Sequence, residues 1–315
     1  FDGITYAKGA SVLKQLVAWV GRDPFFEGVA RYFKKHQWQN TELKDLLVEL
    51  EATSGRDLSG WSKLWLETAG VNTLKPQIET DANGDISSFE IVQTTQEGHD
   101  HQRPHRMGIG FFNLESDKVV RSHYLELDVD GPVTKVPELV GKSLPQLVLL
   151  NDNDLAYAKI RLDEPSRVFA MQNLSKIEDS LARTLVWTAA WDATRDAEAP
   201  ASDFVQLVLD HIATETESTT ILTLLRQLVT TGNLYVAPRN REATLEKIAS
   251  GLIALTESAA PGSDTQLQFA KFVPQFARTA SQLDWLAELY EERKSIPGLA
   301  LDADLRWELL TGLVI

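Results

Sequence analysis

The sequence contains no cysteine. Disulfide bonds, thiol catalysis and thiolate metal sites are therefore excluded. A chain without cysteine fits a reducing compartment, and we expect the protein to be cytoplasmic. Long hydrophobic runs are missing as well, because no apolar segment approaches the roughly 18 residues that a membrane-spanning helix needs. We therefore expect no membrane as a partner.

Positive charge is scarce, since 31 Lys and Arg residues stand against 45 Asp and Glu residues, for a formal net charge of −14. An electrostatic field of this sign repels phosphate backbones and anionic lipid surfaces. We therefore expect no nucleic acid as a partner. The hydrophobic share of 43% is that of an ordinary globular protein, and 315 residues are enough for two or three domains.

Several catalytic signatures are also absent. The sequence has no H-E-x-x-H zinc helix, no G-x-S-x-G nucleophile elbow and no glycine-rich phosphate loop. The histidines at His99, His101 and His105 form a local cluster, and a flexible loop could bring three imidazoles onto a metal ion. A solvated loop is the favoured interpretation, because the segment contains Gly and Gln and lies between two strand patterns.

Helical periodicity dominates the first 70 residues. One apolar stripe at the spacing of a helix face is formed by Leu13, Leu16, Val17 and Val20. Gly21 can end that helix, and Asp23 followed by Pro24 is a start signal in which the carboxylate would cap the next helix. Comparable stripes and terminal glycines predict two more helices before Gly70.

The apolar period changes from 3.6 to 2 after residue 70. Asn83-Gly84 lies between two alternating runs and predicts a β-hairpin, because both residues accept positive φ. Alternating Met107, Ile109 and Phe111 predict a further strand. Six or seven short strands with no helix between them predict a small antiparallel β-sandwich.

The pattern after Pro165 is helical to the end of the sequence. Eight helices are predicted: Val168–Leu174, Ser175–Thr194, Ala201–Thr214, Ser218–Thr230, Arg239–Glu257, Ser263–Arg278, Ala280–Glu292 and Ala303–Ile315. Short loops between them indicate an irregular α-solenoid, and a plain helical bundle stays open because no motif repeats at a fixed period. We interpret Trp187, Trp191 and Trp307 as core residues of this region.

The first turns of the chain carry a family resemblance. Phe1-Asp2-Gly3-Ile4-Thr5-Tyr6-Ala7-Lys8-Gly9, followed by Val12-Leu13, resembles the segment of M1-family zinc aminopeptidases that lies downstream of their zinc motif. The likeness continues at Arg103–Arg106 and Gly108–Gly110, which are similar to a sandwich strand of the actinobacterial aminopeptidase N group. Segments similar to the helical domain of that group are Trp187–Asp196, Gly262–Leu267 and Leu301–Trp307.

This resemblance implies a fold class, which is multidomain α+β. We expect the C-terminal helices of a thermolysin-like catalytic domain at residues 1–70 and the small antiparallel β-sandwich at residues 71–165. An α-helical, solenoid-like (HEAT-like) domain follows at residues 166–315. The chain starts at Phe1 and ends on an apolar run, so we expect a piece of a longer protein with a truncated helical domain.

The resemblance also implies a zinc aminopeptidase that hydrolyses N-terminal residues from peptides. In this family two His of H-E-x-x-H and a downstream Glu hold zinc, and a G-x-M-E-N strand binds the free amino terminus of the substrate. The resemblance implies zinc in the parent enzyme. None of these elements is in the sequence, so we expect no metal ligand and no activity in this piece alone. By resemblance, Tyr6 is the catalytic residue, and its hydroxyl donates a hydrogen bond to the oxygen that becomes negative when water attacks the peptide carbonyl.

Three alternatives stay open. Tyr6 could instead be an aromatic at a helix start, packed beneath the sheet. The protein could be a non-enzymatic helical-repeat scaffold with a β-sandwich, which binds a protein partner on its concave face. The parent could also have lost its zinc motif. We expect peptides as substrates and a monomeric state, and the substrate-binding residues are unknown.

Overall fold

The structure is a computed structural model that describes residues 3–314. Phe1 and Asp2 of the family-like segment, and Ile315 of the last predicted helix, lie outside the described residues. The chain divides into two compact units, Phe1–Ala189 and Ala190–Ile315. None of the helices in the described range is both long and apolar enough to cross a membrane.

Four helices open the chain, and their bounds are Gly9–Val20 (α1), Arg22–Lys35 (α2), Leu43–Ser54 (α3) and Ser59–Leu66 (α4). Gly21, at φ 89°, is both the C-cap of α1 and the N-cap of α2. The prediction that Asp23 caps α2 is therefore wrong. Because one glycine joins the two helices, Asp23 lies inside the first turn of α2 and makes no cap bond. The four helices share an apolar core that includes Leu16, Leu50 and Trp65.

Seven strands follow in the described residues, and their bounds are Thr73–Thr80 (β1), Ile86–Thr94 (β2), His105–Glu115 (β3), Lys118–Val129 (β4), Val133–Lys135 (β5), Leu147–Asp152 (β6) and Lys159–Ile160 (β7). They form a four-stranded sheet in the order β5-β2-β1-β7 and a three-stranded sheet in the order β4-β3-β6. The predicted hairpin joins β1 to β2, and Gly84 takes a positive φ of 86° there, whereas Asn83 does not.

The prediction of a wholly antiparallel arrangement is wrong for one pair of strands. β7 runs parallel to β1, with Leu74 opposite Ile160. The physical reason is the connection, because β7 follows β6, which belongs to the other sheet, and no hairpin dictates its direction.

The two sheets bury one apolar cluster between them. Leu74 and Ile91 of the four-stranded sheet lie in the same cluster as Met107, Ile109 and Leu150 of the three-stranded sheet. The alternation of Met107, Ile109 and Phe111 therefore points one face of β3 into this core, as the sequence pattern predicts.

The other face of β3 carries two glycines. A Cβ added to Gly108 would lie 2.5 Å from the carbonyl oxygen of Asp152 and 2.7 Å from the hydroxyl of Tyr124. At Gly110 it would overlap the Asp152 carboxylate. Both positions therefore need a residue without a side chain, because neighbouring groups fill the space above the strand.

Eight helices complete the described chain, and their bounds are Glu164–Asn173 (α5), Ser180–Arg195 (α6), Ala201–His211 (α7), Ser218–Thr230 (α8), Pro238–Ser258 (α9), Asp264–Phe272 (α10), Ala280–Tyr290 (α11) and Ala303–Val314 (α12). Each of them falls on a predicted helix. The interpretation of Trp307 as a core residue is wrong, because its side chain is 69% exposed. The buried residues of α12 are Leu305 and Leu309. Trp307 lies two residues from each of them and therefore faces the other side of the helix.

Two buried glutamines attach α10 and α11 to α9. The Nε2 of Gln266 donates to the carbonyl oxygen of Thr256 at 3.2 Å. The Nε2 of Gln282 donates to the carbonyl oxygen of Glu246 at 2.9 Å, and its Oε1 accepts from the backbone N–H of Arg278 at 2.9 Å. Each glutamine stands three residues after the Ser or Thr that caps its helix, so one local arrangement recurs in successive helices.

Candidate active site

Tyr6 lies on a π-helical turn, Ile4–Lys8, that leads directly into α1. The backbone N–H of Gly9 donates to the carbonyl oxygen of Ile4, five residues earlier, which is the spacing that defines this turn. The side chain of Tyr6 is 72% exposed. Within residues 3–314, the side chain of Tyr6 is therefore not packed beneath the sheets.

The helix that carries Tyr6 is joined to the sheets by polar contacts. Gln15, on the buried side of α1, donates from Nε2 to the carbonyl oxygen of Pro104 at 3.2 Å. Its Oε1 accepts from the backbone N–H of Tyr157 at 2.7 Å. Next to it, Lys14 forms an ion pair with Asp154 at 2.9 Å. The position of α1 therefore depends on the loops before β3 and between β6 and β7.

A buried arginine lies where the first helices meet the sheets. Arg103 donates from Nε to the carbonyl oxygen of Leu64 at 3.0 Å, and from one terminal nitrogen to the Oγ1 of Thr68 at 2.7 Å and the carbonyl oxygen of Ala69 at 2.8 Å. The other terminal nitrogen donates to the Oδ1 of Asn72 at 3.3 Å. Burial lowers the pKa of Arg103 from its usual value. The charge is stabilised by carbonyl oxygens at the end of α4, where the helix dipole favours a cation.

The histidines of the 99–105 segment do not form a metal site. His105 is fully buried in β3, and its Nε2–H donates to the Oε1 of Gln93 at 3.0 Å. His99 packs against Gly70 instead. Across residues 3–314, no three His, Asp or Glu side chains form a group that could hold a metal ion. The possible three-imidazole site is therefore wrong, because the β3 ladder draws His105 into the core.

Burial, together with the smaller effect of the nearby Arg103 charge, lowers the pKa of His105 to about 3. Between an unfolded-state pKa of about 6.5 and pH 3, the unfolded chain binds a proton that the folded chain does not. We expect His105 to make the free energy of unfolding fall as the pH drops below 6.5, by up to about 1.4 kcal/mol per pH unit.

Urea unfolding of the chain and of His105→Gln between pH 4.5 and 8 measures this effect. The two curves should converge as the pH falls, because the variant lacks the titrating imidazole. Asp152 is present in both proteins, and the opposite contribution of its raised pKa therefore cancels in the comparison. Curves that stay parallel over this range would contradict the assignment.

Gln15 was not singled out by the sequence analysis, and Arg103 was named there only as part of the family-like segment Arg103–Arg106. The stripe predicted for α1 contained Leu13, whereas the buried residues are Val12, Gln15, Leu16 and Val20. A signal for Gln15 was present, since a glutamine stands in the middle of an apolar helix face. Arg103 lies in a loop, and the family-like segment around it does not indicate which acceptors its side chain contacts.

Comparisons with known proteins match two parts of the chain to peptidase families. Residues 1–65 match the Peptidase family M1 domain, and residues 147–314, more than half of the chain, match the ERAP1-like C-terminal domain. Aminopeptidase N of Streptomyces lividans is 50% identical over 320 residues, which are 99% of this chain and 37% of that protein. Aminopeptidase M1 of Arabidopsis thaliana is 24% identical over 100% of this chain and 33% of its own length.

A solved structure has a similar fold. Aminopeptidase A of Legionella pneumophila, crystallised in complex with aspartic acid, has a TM-score of 0.54 and 13% sequence identity, and the match covers 98% of this chain and 39% of that chain. The chain thus spans just over a third of the length of the Streptomyces relative. From these matches, the chain belongs to the M1 peptidase family and carries an ERAP1-like C-terminal domain.

Proposed function

We propose that the chain is part of an aminopeptidase that removes N-terminal residues from peptides, and that Tyr6 stabilises the transition state. The observation that carries this proposal is an exposed Tyr6 side chain inside a segment that matches an M1 peptidase domain. The relatives named aminopeptidase support the reaction class. A non-enzymatic scaffold finds no comparable support in these matches.

The chemistry assigned to Tyr6 is hydrogen-bond donation. When water attacks a peptide carbonyl, negative charge develops on the carbonyl oxygen, and a donor fixed at that point lowers the barrier. A phenol is a rigid side chain whose hydroxyl donates a hydrogen bond. Tyr6 is presented at the start of α1, which Gln15 and Lys14 join to the rest of its unit.

Zinc belongs to this proposal for the whole enzyme only. The described residues offer no group of ligands for a metal ion, so residues 3–314 do not fit a catalytic zinc centre. We propose that the zinc ligands and the site for the substrate amino terminus are supplied from outside residues 1–315. By this proposal, the chain alone binds no catalytic zinc and has no activity.

The proposal extends to the layout of the parent protein. Residues 1–70 would be the last helices of its catalytic domain, residues 71–165 a β-sandwich, and residues 166–315 part of a HEAT-like helical domain. The change from helices to strands between α4 and β1, and back between β7 and α5, supports these divisions. A cytoplasmic location and a monomeric state complete the proposal.

Metal content and peptide turnover test the proposal that the zinc ligands lie outside residues 1–315. We expect the complete enzyme to hydrolyse aminoacyl p-nitroanilides, to lose this activity on chelation and to regain it with zinc. Residues 1–315 alone should show neither turnover nor stoichiometric zinc under the same conditions. Zinc bound at one equivalent together with turnover by residues 1–315 would contradict the proposal.

A further inference from the structure

We propose that Gln15 is the positioning residue for Tyr6, so that the sheets set the place of the phenol through one buried amide. This inference rests on the proposed function of Tyr6 and adds to it the group that holds its helix. Gln15 touches neither substrate nor cofactor in this proposal. It acts through the helix that it shares with Tyr6.

The two residues lie on one helical segment. They are nine residues apart, and this spacing corresponds to about two and a half turns in a regular α-helix, which a π-helical turn at Ile4–Lys8 changes by less than one turn. Gln15 is fully buried, whereas the turn Ile4–Lys8 that carries Tyr6 has no buried residue. Gln15 therefore joins the buried side of the helix to the sheet loops, while the side chain of Tyr6 lies in the exposed turn before α1.

The amide of Gln15 is engaged at both ends. Its oxygen accepts from the backbone N–H of Tyr157, and its nitrogen donates to the carbonyl oxygen of Pro104. The same carbonyl oxygen accepts from the Nε1 of Trp65 at 3.2 Å. Both partners of Gln15 are backbone groups, one before β3 and one between β6 and β7, so they move only if the sheet loops move.

Directionality distinguishes this contact from the others along α1. The apolar contacts of Val12, Leu16 and Val20 are non-directional, and they tolerate small rotations or shifts of the helix. The ion pair of Lys14 with Asp154 is about half exposed, and exposed pairs of this kind contribute little. A buried amide with two backbone partners restricts both the rotation of α1 about its axis and its translation along that axis.

A displacement of α1 would lower kcat, although the Tyr6 hydroxyl would still be present. Placement errors of about 1 Å at a reacting group can lower a rate by as much as 10²-fold. We expect Gln15→Met, which removes both hydrogen bonds at similar volume, to lower kcat about tenfold. KM should change less than about twofold, because the free amino terminus of the substrate is bound elsewhere.

Gln282→Met is the matched control. Gln282 is also a buried glutamine that accepts from a backbone N–H and donates to a backbone carbonyl, and it lies in the other compact unit. Because Gln282 also accepts from the backbone N–H of Thr279 and donates to the Oγ of Ser250, we expect Gln282→Met to lower stability at least as much as Gln15→Met and to leave kcat unchanged. If Gln15→Met does not fold, Gln15→Asn keeps an amide that is one methylene too short to reach both partners, and the same comparison applies.

A double-mutant cycle in the complete enzyme separates the outcomes. If Gln15 acts through Tyr6, Gln15→Met lowers kcat in the wild type and leaves it unchanged in a Tyr6→Phe background. Equal losses in both backgrounds, or an equal loss with Gln282→Met, would overturn the positioning role alone. A Tyr6→Phe enzyme with the kcat of the wild type would instead overturn the proposed function on which this inference rests.

Discussion

Replacement of Tyr6 by phenylalanine should lower the kcat of the complete aminopeptidase by about 10²–10³-fold. The phenylalanine ring keeps the shape of the side chain and loses only the hydroxyl that donates to the developing oxyanion. Loss of one such donor typically costs about 2.7–4 kcal/mol of transition-state stabilisation. Because that contact is absent from the ground state, kcat and kcat/KM should fall by the same factor.

Steady-state kinetics with urea unfolding of the same proteins provide the measurement. The free energy of unfolding should change by less than about 0.5 kcal/mol, because the Tyr6 side chain is 72% exposed. Tyr235→Phe is the control, since it removes a partly exposed phenol hydroxyl in the other compact unit. A Tyr6→Phe enzyme within a few-fold of wild-type kcat would rule out the role assigned to Tyr6.

Replacement of Arg103 by methionine should lower the free energy of unfolding by about 3–5 kcal/mol. Methionine fills much of the space but donates no hydrogen bond. The acceptors at Leu64, Thr68, Ala69 and Asn72 would lose their donor, and those that are buried or partly buried would be hard for water to reach. Each buried acceptor left unpaired costs about 1–3 kcal/mol, and partial relaxation keeps the total below the simple sum.

Two further variants serve as comparisons for Arg103→Met. Arg103→Lys keeps the charge but loses the planar fork, so its loss should be about half as large. Arg22→Met removes an arginine that is 79% exposed and should change stability by less than about 0.5 kcal/mol. The urea transitions should be fitted separately, because two compact units need not unfold together. Equal midpoints for Arg103→Met and Arg22→Met would contradict the structural role.

Much of the local structure was predictable from the sequence. The eight predicted helices after Pro165 overlap α5 to α12, with ends that differ by up to about six residues, and the Asn83-Gly84 hairpin joins β1 to β2. These features depend on the spacing of apolar residues and on turn chemistry, both of which act over a few residues. The family resemblance carried by Tyr6 and the surrounding segment is likewise a property of the sequence.

The candidate site was predictable only in part. Tyr6 was identified by resemblance, while its exposure and its place on a π-helical turn came from the structure. The contacts of Gln15 and Arg103 were missed because their partners, such as Pro104 for Gln15 and Leu64 for Arg103, lie tens of residues away in the chain. No local pattern encodes which distant carbonyl a buried donor will reach.

The sequence by itself determined the family, the order of helices and strands, and the residue types available for catalysis. The tertiary structure decided that β7 runs parallel to β1, that Trp307 is exposed, that His105 is a buried neutral imidazole, and that α1 is joined to the sheets through Gln15. The physical reason is the range of the forces involved. Periodicity and turn preferences are local, whereas burial and hydrogen-bond pairing depend on residues that meet only when the chain has folded.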